Sequence, residues 1–411
     1  MHILLIHQAF ASLDEAGGTR HYEMAHYLAA HGHQVTIITS PVNYLTGRIK
    51  GERLHWVEKE IPEPGIILLR VYVYPPLHRS FFHRLLNFFS FMFSSFFVGI
   101  RVRNVDVVWG TSPPIFQGWT TWLLARLKGI PFLLEIRDLW PEFAIGIGVL
   151  KNKTLIRLSF WLESFLYRHA DRIVANSPGF IPYINQRGGK NVALVPNGVD
   201  PAMFDPGADG HVFRSDNHFE SAFIVLYAGA HGISNDLEVL LLAAQQTLNH
   251  PEIQYVLIGD GKEKANLRKK ALSMNLTNTH FYASVPKHQM NQVLAAADAC
   301  VAILKPLELY KTTYPNKVFD YLAAARPVLL VIDGAIREVV EKAQAGIFIQ
   351  PGDQNGLAQS ILKLASDPPA ARQMGLNGRD YVKEHFNRQT LAARLEMIFR
   401  QLLEDKWPKK Y

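Results

Sequence analysis

The sequence predicts an α/β protein of two consecutive Rossmann-like domains that face each other across a cleft. Three observations lead there. Apolar strand patterns alternate with helical ones from the first residues, the alternation stops from Asn197 to about Glu220, and it then begins again. Such alternation specifies a parallel sheet covered on both faces, because each crossover returns over the sheet. A chain of 411 residues that is 48% hydrophobic and 19% charged can fill two such cores.

The first half opens with a strand at His2 to His7, a helix at Arg20 to Ala30 and a strand at Gln34 to Thr39. Ile66 to Val73 and Asp106 to Trp109 read as strands, Gly118 to Lys128 as a helix and Phe132 to Ile136 as the next strand. A helix from about Leu155 to His169 leads to strands at Arg172 to Ala175 and Val192 to Leu194. The stretch from Asn197 to about Glu220, rich in Pro, Gly, Asp, Asn and His, reads as a linker. The second series runs through the strand Phe223 to Tyr227, the helix Leu237 to Leu248, the strand Gln254 to Ile258 and the helix Glu263 to Ser273. Later strands fall at His280 to Tyr282, Ala299 to Ile303, Val328 to Val331 and Ile347 to Ile349, and a terminal helix at about Leu391 to Leu403. The predicted domains are 1–200, 201–385 and a C-terminal helical segment, 386–411, packing back toward the first domain.

Composition narrows the function classes. The single cysteine, Cys300, lies in a buried-strand pattern, which excludes a disulfide framework and argues against a reactive thiol. The N-terminus has no basic region before its apolar run, so a cytoplasmic location without a secretory signal is expected. The net charge of +7 is unevenly spread: Pro64 to Val105 contains no Asp or Glu, five arginines including Arg79 and Arg84, and eight of the 24 phenylalanines, Phe88 and Phe89 among them. The uncharged run from Leu85 to Ile100 spans about 24 Å as a helix, short of the roughly 30 Å hydrocarbon core. Two readings stand: a helix dipping into the surface of an anionic membrane, or a buried core helix whose arginines snorkel. Because the basic residues cluster with phenylalanines rather than along a polar stripe, nucleic acid is disfavoured as a partner.

The most informative stretch is Tyr310 to Pro327, where a polar, proline-punctuated loop runs into a short apolar helix. The helix N-terminus with Lys317 suits an anion, and Asp320, one turn on, suits sugar hydroxyls; a sugar diphosphate needs both. Gly17-Gly18-Thr19-Arg20, between a strand and a helix, lets amides approach a phosphate, with Arg20 either a ligand of donor or acceptor phosphate or an exposed helix residue. There is neither a Gly-x-Gly-x-x-Gly nor an acid at the second strand's end, so NAD and FAD are not expected. There is no Asp-x-Asp and no histidine pairing at ligand spacing, so no metal or other cofactor is expected.

Asp320 and the Ala325-Arg326-Pro327-Val328 run resemble the donor signature of retaining glycosyltransferases of family 4: Glu, seven residues, Glu, then Ala-x-Gly-x-Pro-Val. Thr312 stands where the family has its first Glu, and Ala325 stands for the glycine. Lys317 and Pro315 resemble the branch that builds bacterial O-antigen and exopolysaccharide, including N-acetylfucosamine transferases. Further landmarks in family order are Gly17-Gly18, Ala170 to Ser177, Val195 to Asp200, Gly259-Asp260-Gly261 and Ala297-Asp298-Ala299, so the resemblance covers nearly the whole chain.

The resemblance implies GT-B architecture and retaining transfer of a sugar from a nucleoside diphosphate sugar, UDP-linked, to a hydroxyl of a polyprenyl-diphosphate-linked or growing glycan. Such an acceptor would explain the basic, aromatic stretch, which fits peripheral binding to the inner face of the cell membrane with Arg79, Arg84, Phe88 and Phe89 on the acceptor or membrane side. Arg137-Asp138 stands where many members carry a His-Asp pair: Asp138 would position or deprotonate the acceptor, Arg137 would grip a diphosphate, and Glu142 is the reserve acid. The usual Arg and Lys are missing from the loop 228–235, leaving Lys317, the amides around Gly229 and His231 to meet the leaving diphosphate. Gly259 and the Val285-Pro286 segment would frame the base, and Glu338 matches a position near the donor sugar. Two alternatives stay open: a non-hydrolysing UDP-sugar epimerase of the same fold, and a non-catalytic nucleotide-sugar-binding protein.

Overall fold

The computed structural model describes all residues except 16, 45–46, 52, 76–78 and 407–411; the last of these belong to the predicted C-terminal segment. The chain divides into one unit of residues 1–12, 17–196 and 389–411, and another of 13–16 and 197–388.

The first unit is built on eight strands: β1 (His2–Ile6), β2 (Gln34–Thr39), β3 (Val57–Glu63), β4 (Ile66–Val71), β5 (Val107–Ser112), β6 (Phe132–Ile136), β7 (Arg172–Ala175) and β8 (Val192–Leu194). Their order is β3-β4-β2-β1-β5-β6-β7-β8, parallel except for β3, which lies antiparallel on β4. The central strands are continuous Ile, Leu and Val because helices cover both faces. On one face the helix Arg20–Ala30 buries Met24 and Leu28, and the helix Arg388–Lys406 buries Leu395, Phe399 and Leu402 in the same core. Strand β3, Val-Glu-Lys-Glu-Ile-Pro-Glu, is an addition to the predicted set; as a mostly exposed edge it carries no apolar run to announce it.

The second unit has β9 (Phe223–Ala228), β10 (Ile253–Ile258), β11 (Thr279–Tyr282), β12 (Ala299–Ile303), β13 (Val328–Val331) and β14 (Gly346–Phe348), all parallel, in the order β11-β10-β9-β12-β13-β14. The order reverses between β9 and β12, and open α/β sheets bind ligands outside the strand ends at that point.

The linker reading of residues 197–220 is corrected. The stretch forms a 3-10 turn, Pro201–Met203, and a helix, His211–Asp216, and Phe204 and Phe219 are buried in the second core with Ile224, Val293 and Phe319. Apolar residues spaced this widely show no period, yet two phenylalanines suffice to dock the segment.

Candidate functional site

In the second unit the loops after β9, β10 and β11 converge on the helix Asn316–Ala323. Tyr321 pins that helix to the end of β9: its hydroxyl accepts from the Ala228 amide at 2.9 Å and donates to the Ala228 carbonyl at 3.0 Å. The loop after β9 then passes the helix N-terminus so closely that a Cβ on Gly229 would stand 2.8 Å from Lys317 Nζ. At Gly259 (φ +150°) a Cβ would fall inside the Gly229 carbonyl oxygen, so the turns after β9 and β10 touch backbone to backbone.

Lys317 Nζ donates to Tyr227 Oη at 2.8 Å and to Asn235 Oδ1 at 3.4 Å, and lies 4.1 Å from the Tyr227 ring centroid. No carboxylate balances it among these contacts, and burial pushes its ammonium down to about 7. Asp320 lies on the same helix face, three residues on. Its Oδ1 is 2.6 Å from Lys287 Nζ, and both side chains are largely buried. Lys287, immediately after the predicted Val285-Pro286 segment, was not singled out from the sequence: 33 residues separate it from Asp320 and no local pattern joins them.

His231 is fully enclosed, and neither ring nitrogen has a partner. Burial, then Lys264 and Lys317, push it down to about 4, so it is neutral at pH 7. What the His231 position offers the loop is its backbone, whose N–H donates to the Asp260 carbonyl at 2.8 Å. Glu338 is exposed on the first turn of the helix Ala335–Lys342 and pairs with Lys342 at 3.3 Å. Thr312 turns inward on its own loop, donating to the Leu309 carbonyl at 2.6 Å.

In the first unit Gly17 and Gly18 are exposed ahead of the helix Arg20–Ala30, but the two expectations for Arg20 are both corrected. Arg20 is buried: Nε donates to Glu135 Oε1 at 2.8 Å, Nη1 to the Pro196 carbonyl at 2.6 Å and Nη2 to the Val195 carbonyl at 2.7 Å. All three nitrogens are engaged by protein, so Arg20 positions the sheet end rather than meeting a phosphate. Glu135 Oε2 also accepts from Trp109 Nε1 and pairs with His21 Nε2, each at 3.0 Å. Burial alone would raise Glu135, but His21 and Arg20 hold it well below the usual carboxylate range.

Just beyond Glu135, Arg137 is anchored by its amide to the Ser112 carbonyl at 2.8 Å and by Nη2 to the Pro113 carbonyl, while its Nε is buried without a partner. Asp138 is exposed. The protein crowded around its loop pushes its carboxyl up to about 6 against the pull of Arg137. At that value it is mostly ionised at neutral pH. Glu142 pairs with Arg187 at 3.5 Å.

The helix Phe81–Arg101 buries Phe91 and Val98, yet polar residues share its inner face and aromatic rings stand outside. Asn87, Ser94 and Ser95 are buried, whereas Phe82, Phe89, Phe93 and Phe97 are exposed by 64%, 39%, 59% and 46%. The polar side chains face inward because the chain before the helix needs partners: Asn87 donates to the Tyr74 carbonyl at 2.6 Å, Ser90 accepts from the Tyr74 amide at 2.7 Å, and Ser94 donates to the Tyr72 carbonyl at 2.6 Å. This overturns the wholly buried reading, and it removes Phe88, which is buried, from the candidate surface while keeping Phe89 on it. Arg79 is exposed and Arg84 half-buried. Among the described residues no helix is long and apolar enough to cross a membrane, and no group of three His, Cys, Asp or Glu could hold a metal.

Comparison with known proteins matches residues 16–198 to the glycosyl transferase 4-like domain and residues 211–381 to glycosyl transferases group 1. WcaI of Escherichia coli, to which glycosyl transfer in colanic acid biosynthesis is provisionally ascribed, is 28% identical over 311 residues, covering 73% of this chain and 76% of that protein. WbjE of Pseudomonas aeruginosa, a provisionally assigned glycosyltransferase, is 28% identical over 279 residues, covering 64% of this chain and 66% of its own. Among solved structures, sucrose-phosphate synthase from Thermosynechococcus elongatus superposes with a TM-score of 0.77 at 21% identity, covering 98% of this chain and 99% of that one. Anabaena HepE in complex with UDP and glucose does so at 0.73 and 15%, covering 98% and 100%.

Proposed function

Because a chain that joins a glycosyl transferase 4-like domain to a group 1 domain is a glycosyltransferase of the GT-B fold, we propose that it moves a sugar from a nucleoside diphosphate sugar to a lipid-linked or growing glycan of the bacterial cell surface, with retention at the anomeric carbon. One observation carries the donor side of this reading: Lys317 and Asp320 share one helix face, with the cation drawn against the Gly229 turn where no side chain intervenes. A leaving nucleoside diphosphate develops negative charge, and a poorly solvated ammonium is worth more there than in water. Lys317 therefore stabilises the leaving group without a metal ion. UDP is the first nucleotide to test, since HepE, which shares the fold, was solved with it. The name of WcaI supports a context of bacterial polysaccharide synthesis, and the resemblance carried by Lys317 and Pro315 puts an N-acetylaminodeoxysugar among the donors to try.

The acceptor belongs to the first unit in this reading. Asp138, ionised at neutral pH with its carboxyl pushed up to about 6, is suited to take the acceptor hydroxyl proton. Arg137, its Nε buried without a partner, is suited to hold an acceptor phosphate. The outward stripe of Phe82, Phe89, Phe93 and Phe97, with Arg79 and Arg84 beside its start, fits a membrane surface carrying a polyprenyl diphosphate.

A panel of nucleoside diphosphate sugars, each incubated with membranes bearing lipid-linked saccharide, tests the assignment. Sugar incorporation supports it. Conversion of the nucleotide sugar without lipid indicates an epimerase, and binding without any turnover indicates a non-catalytic protein.

A further inference from the structure

We propose that Arg187 is a positioning residue for sugar transfer: by bridging Glu142 and Glu163 it holds in place the turn that presents Asp138 to the acceptor. The proposal rests on the acceptor reading of the first unit. The turn is fixed upstream by strand β6 and by the Arg137 amide, which donates to the Ser112 carbonyl at 2.8 Å. Downstream it runs straight into the helix Glu142–Gly146, five residues long, whose single charged side chain is Glu142. Backbone bonds join the two, since Trp140 N–H donates to the Asp138 carbonyl at 3.0 Å and Phe143 N–H to the Leu139 carbonyl at 2.9 Å. A helix this short does not hold itself in place. Whatever grips Glu142 therefore sets where Asp138 stands.

Arg187 is that grip. It closes the helix Ile181–Gln186, and its guanidinium lies over two rings, 4.1 Å from the Phe160 centroid and 4.7 Å from that of Tyr183. Nη2 stands 3.5 Å from Glu142 Oε1 and Nη1 3.5 Å from Glu163 Oε2. Glu163, on the helix Lys153–His169, is fully buried and already accepts from Tyr167 Oη at 3.0 Å and Tyr183 Oη at 3.2 Å. A planar, rigid fork suits this bridge, because one compact ammonium would not meet both carboxylates and both rings together. Burial pushes Glu163 up to about 7 against the pull of Arg187, so near neutral pH about half the molecules carry it uncharged. In those, Glu142 is the carboxylate that faces the guanidinium. The acid held in reserve by the sequence reading thus becomes a tether. A plain counter-ion for Glu163 would need no second carboxylate and would be indifferent to the Asp138 turn.

The test measures sugar transfer by the full chain, with the donor that the panel of nucleoside diphosphate sugars identifies, in Glu163→Gln, Glu163→Gln with Arg187→Met, Glu142→Ala and Asp138→Asn. Glu163→Gln keeps an acceptor for the tyrosines and serves as the background, so that Arg187→Met does not strand a buried charge. Against it, Arg187→Met should lower kcat about 10- to 100-fold, the scale of a misplaced catalytic group, with the donor KM unchanged. Glu142→Ala should lower the wild type's kcat to a similar degree. The acid limb of the kcat profile should move as well. Asp138, pushed up to about 6 by the protein around it, gains water when its turn loosens, so the limb should fall below 6 toward the ordinary carboxylate range. Arg137, the charged neighbour of Asp138, is kept throughout, and loss of a mere counter-ion to Glu163 would leave the limb where it is. A kcat within about twofold of the background, an unmoved acid limb, or a Glu142→Ala loss as deep as that of Asp138→Asn, which would make Glu142 the base, would each overturn the proposal. Should the double variant fail to fold, Glu142→Ala, at the partly exposed end of the bridge, still decides. Full turnover in Asp138→Asn, or no transfer from any donor, would overturn the acceptor reading instead and the proposal with it.

Discussion

Raising the pH should weaken donor binding, through Lys317. Its ammonium donates to neutral partners, Tyr227 Oη and Asn235 Oδ1, and burial pushes it down to about 7 in the free protein. Below that value the lysine is charged and ready for a diphosphate. Above it, binding must first take up a proton, so the dissociation constant rises by up to about tenfold per pH unit until the donor-bound pKa is reached. Between about pH 6 and pH 8 the loss is therefore about tenfold, or about 1.4 kcal/mol. A nucleoside diphosphate sugar is the right probe, because its esterified diphosphate keeps a constant charge over this range. Lys317→Met should bind about 10 to 150 times more weakly at pH 6, from the loss of a charge-assisted hydrogen bond worth about 1.5 to 3 kcal/mol. It should also show no slope, so the two curves draw together as pH rises. Titration calorimetry at four pH values reads both effects. A flat wild-type curve, or an equal slope in Lys317→Met, would refute the role given to this ammonium.

Four variants test the geometry elsewhere. Gly259→Ala drives a Cβ into the Gly229 carbonyl at a positive φ and should cost about 2 to 3 kcal/mol in denaturant unfolding, whereas Gly18→Ala, which meets nothing within 4 Å, should stay within about 0.5 kcal/mol. Ala325 sits at φ +54°, a left-handed conformation that explains why the resembled signature has glycine there; Ala325→Gly should gain about 0.5 to 1 kcal/mol, read as a higher denaturant midpoint. Phe93→Asp with Phe97→Asp should abolish sedimentation with anionic vesicles at an unchanged melting temperature, since both rings are exposed. Retained sedimentation would remove the stripe from the membrane reading.

The architecture was largely legible because both sheets are parallel. Runs such as Ile3 to Ile6 and Cys300 to Ile303, buried on both faces, announce strands without alternation. Elements that depend on distant partners were not legible. Strand β3 is held by β4 and has no apolar face, and the segment from 197 to 220 is docked by Phe204 and Phe219. The same limit governs the site. Lys317 and Asp320 announce themselves as neighbours on one helix, but their surroundings come from remote residues: Gly229 makes room for one, and Lys287 occupies an oxygen of the other. Arg20 looked available because a helix start is normally solvated; Glu135, 115 residues on, takes it inside. The phenylalanine helix shows its apolar content in sequence but not its direction, which the backbone partners at Tyr72 and Tyr74 decide.

The most direct test of the central claim is sugar transfer from labelled nucleoside diphosphate sugars to membranes carrying lipid-linked saccharide, comparing the wild type, Asp320→Ala and a chelator-treated sample, with product anomers read by NMR. The account predicts a retained anomer in the lipid fraction and no loss on chelation. It also predicts donor use weakened in Asp320→Ala by about 2 to 4 kcal/mol, from two lost hydroxyl bonds in a closed site. Unchanged turnover in Asp320→Ala, or activity that disappears with the chelator, would contradict it.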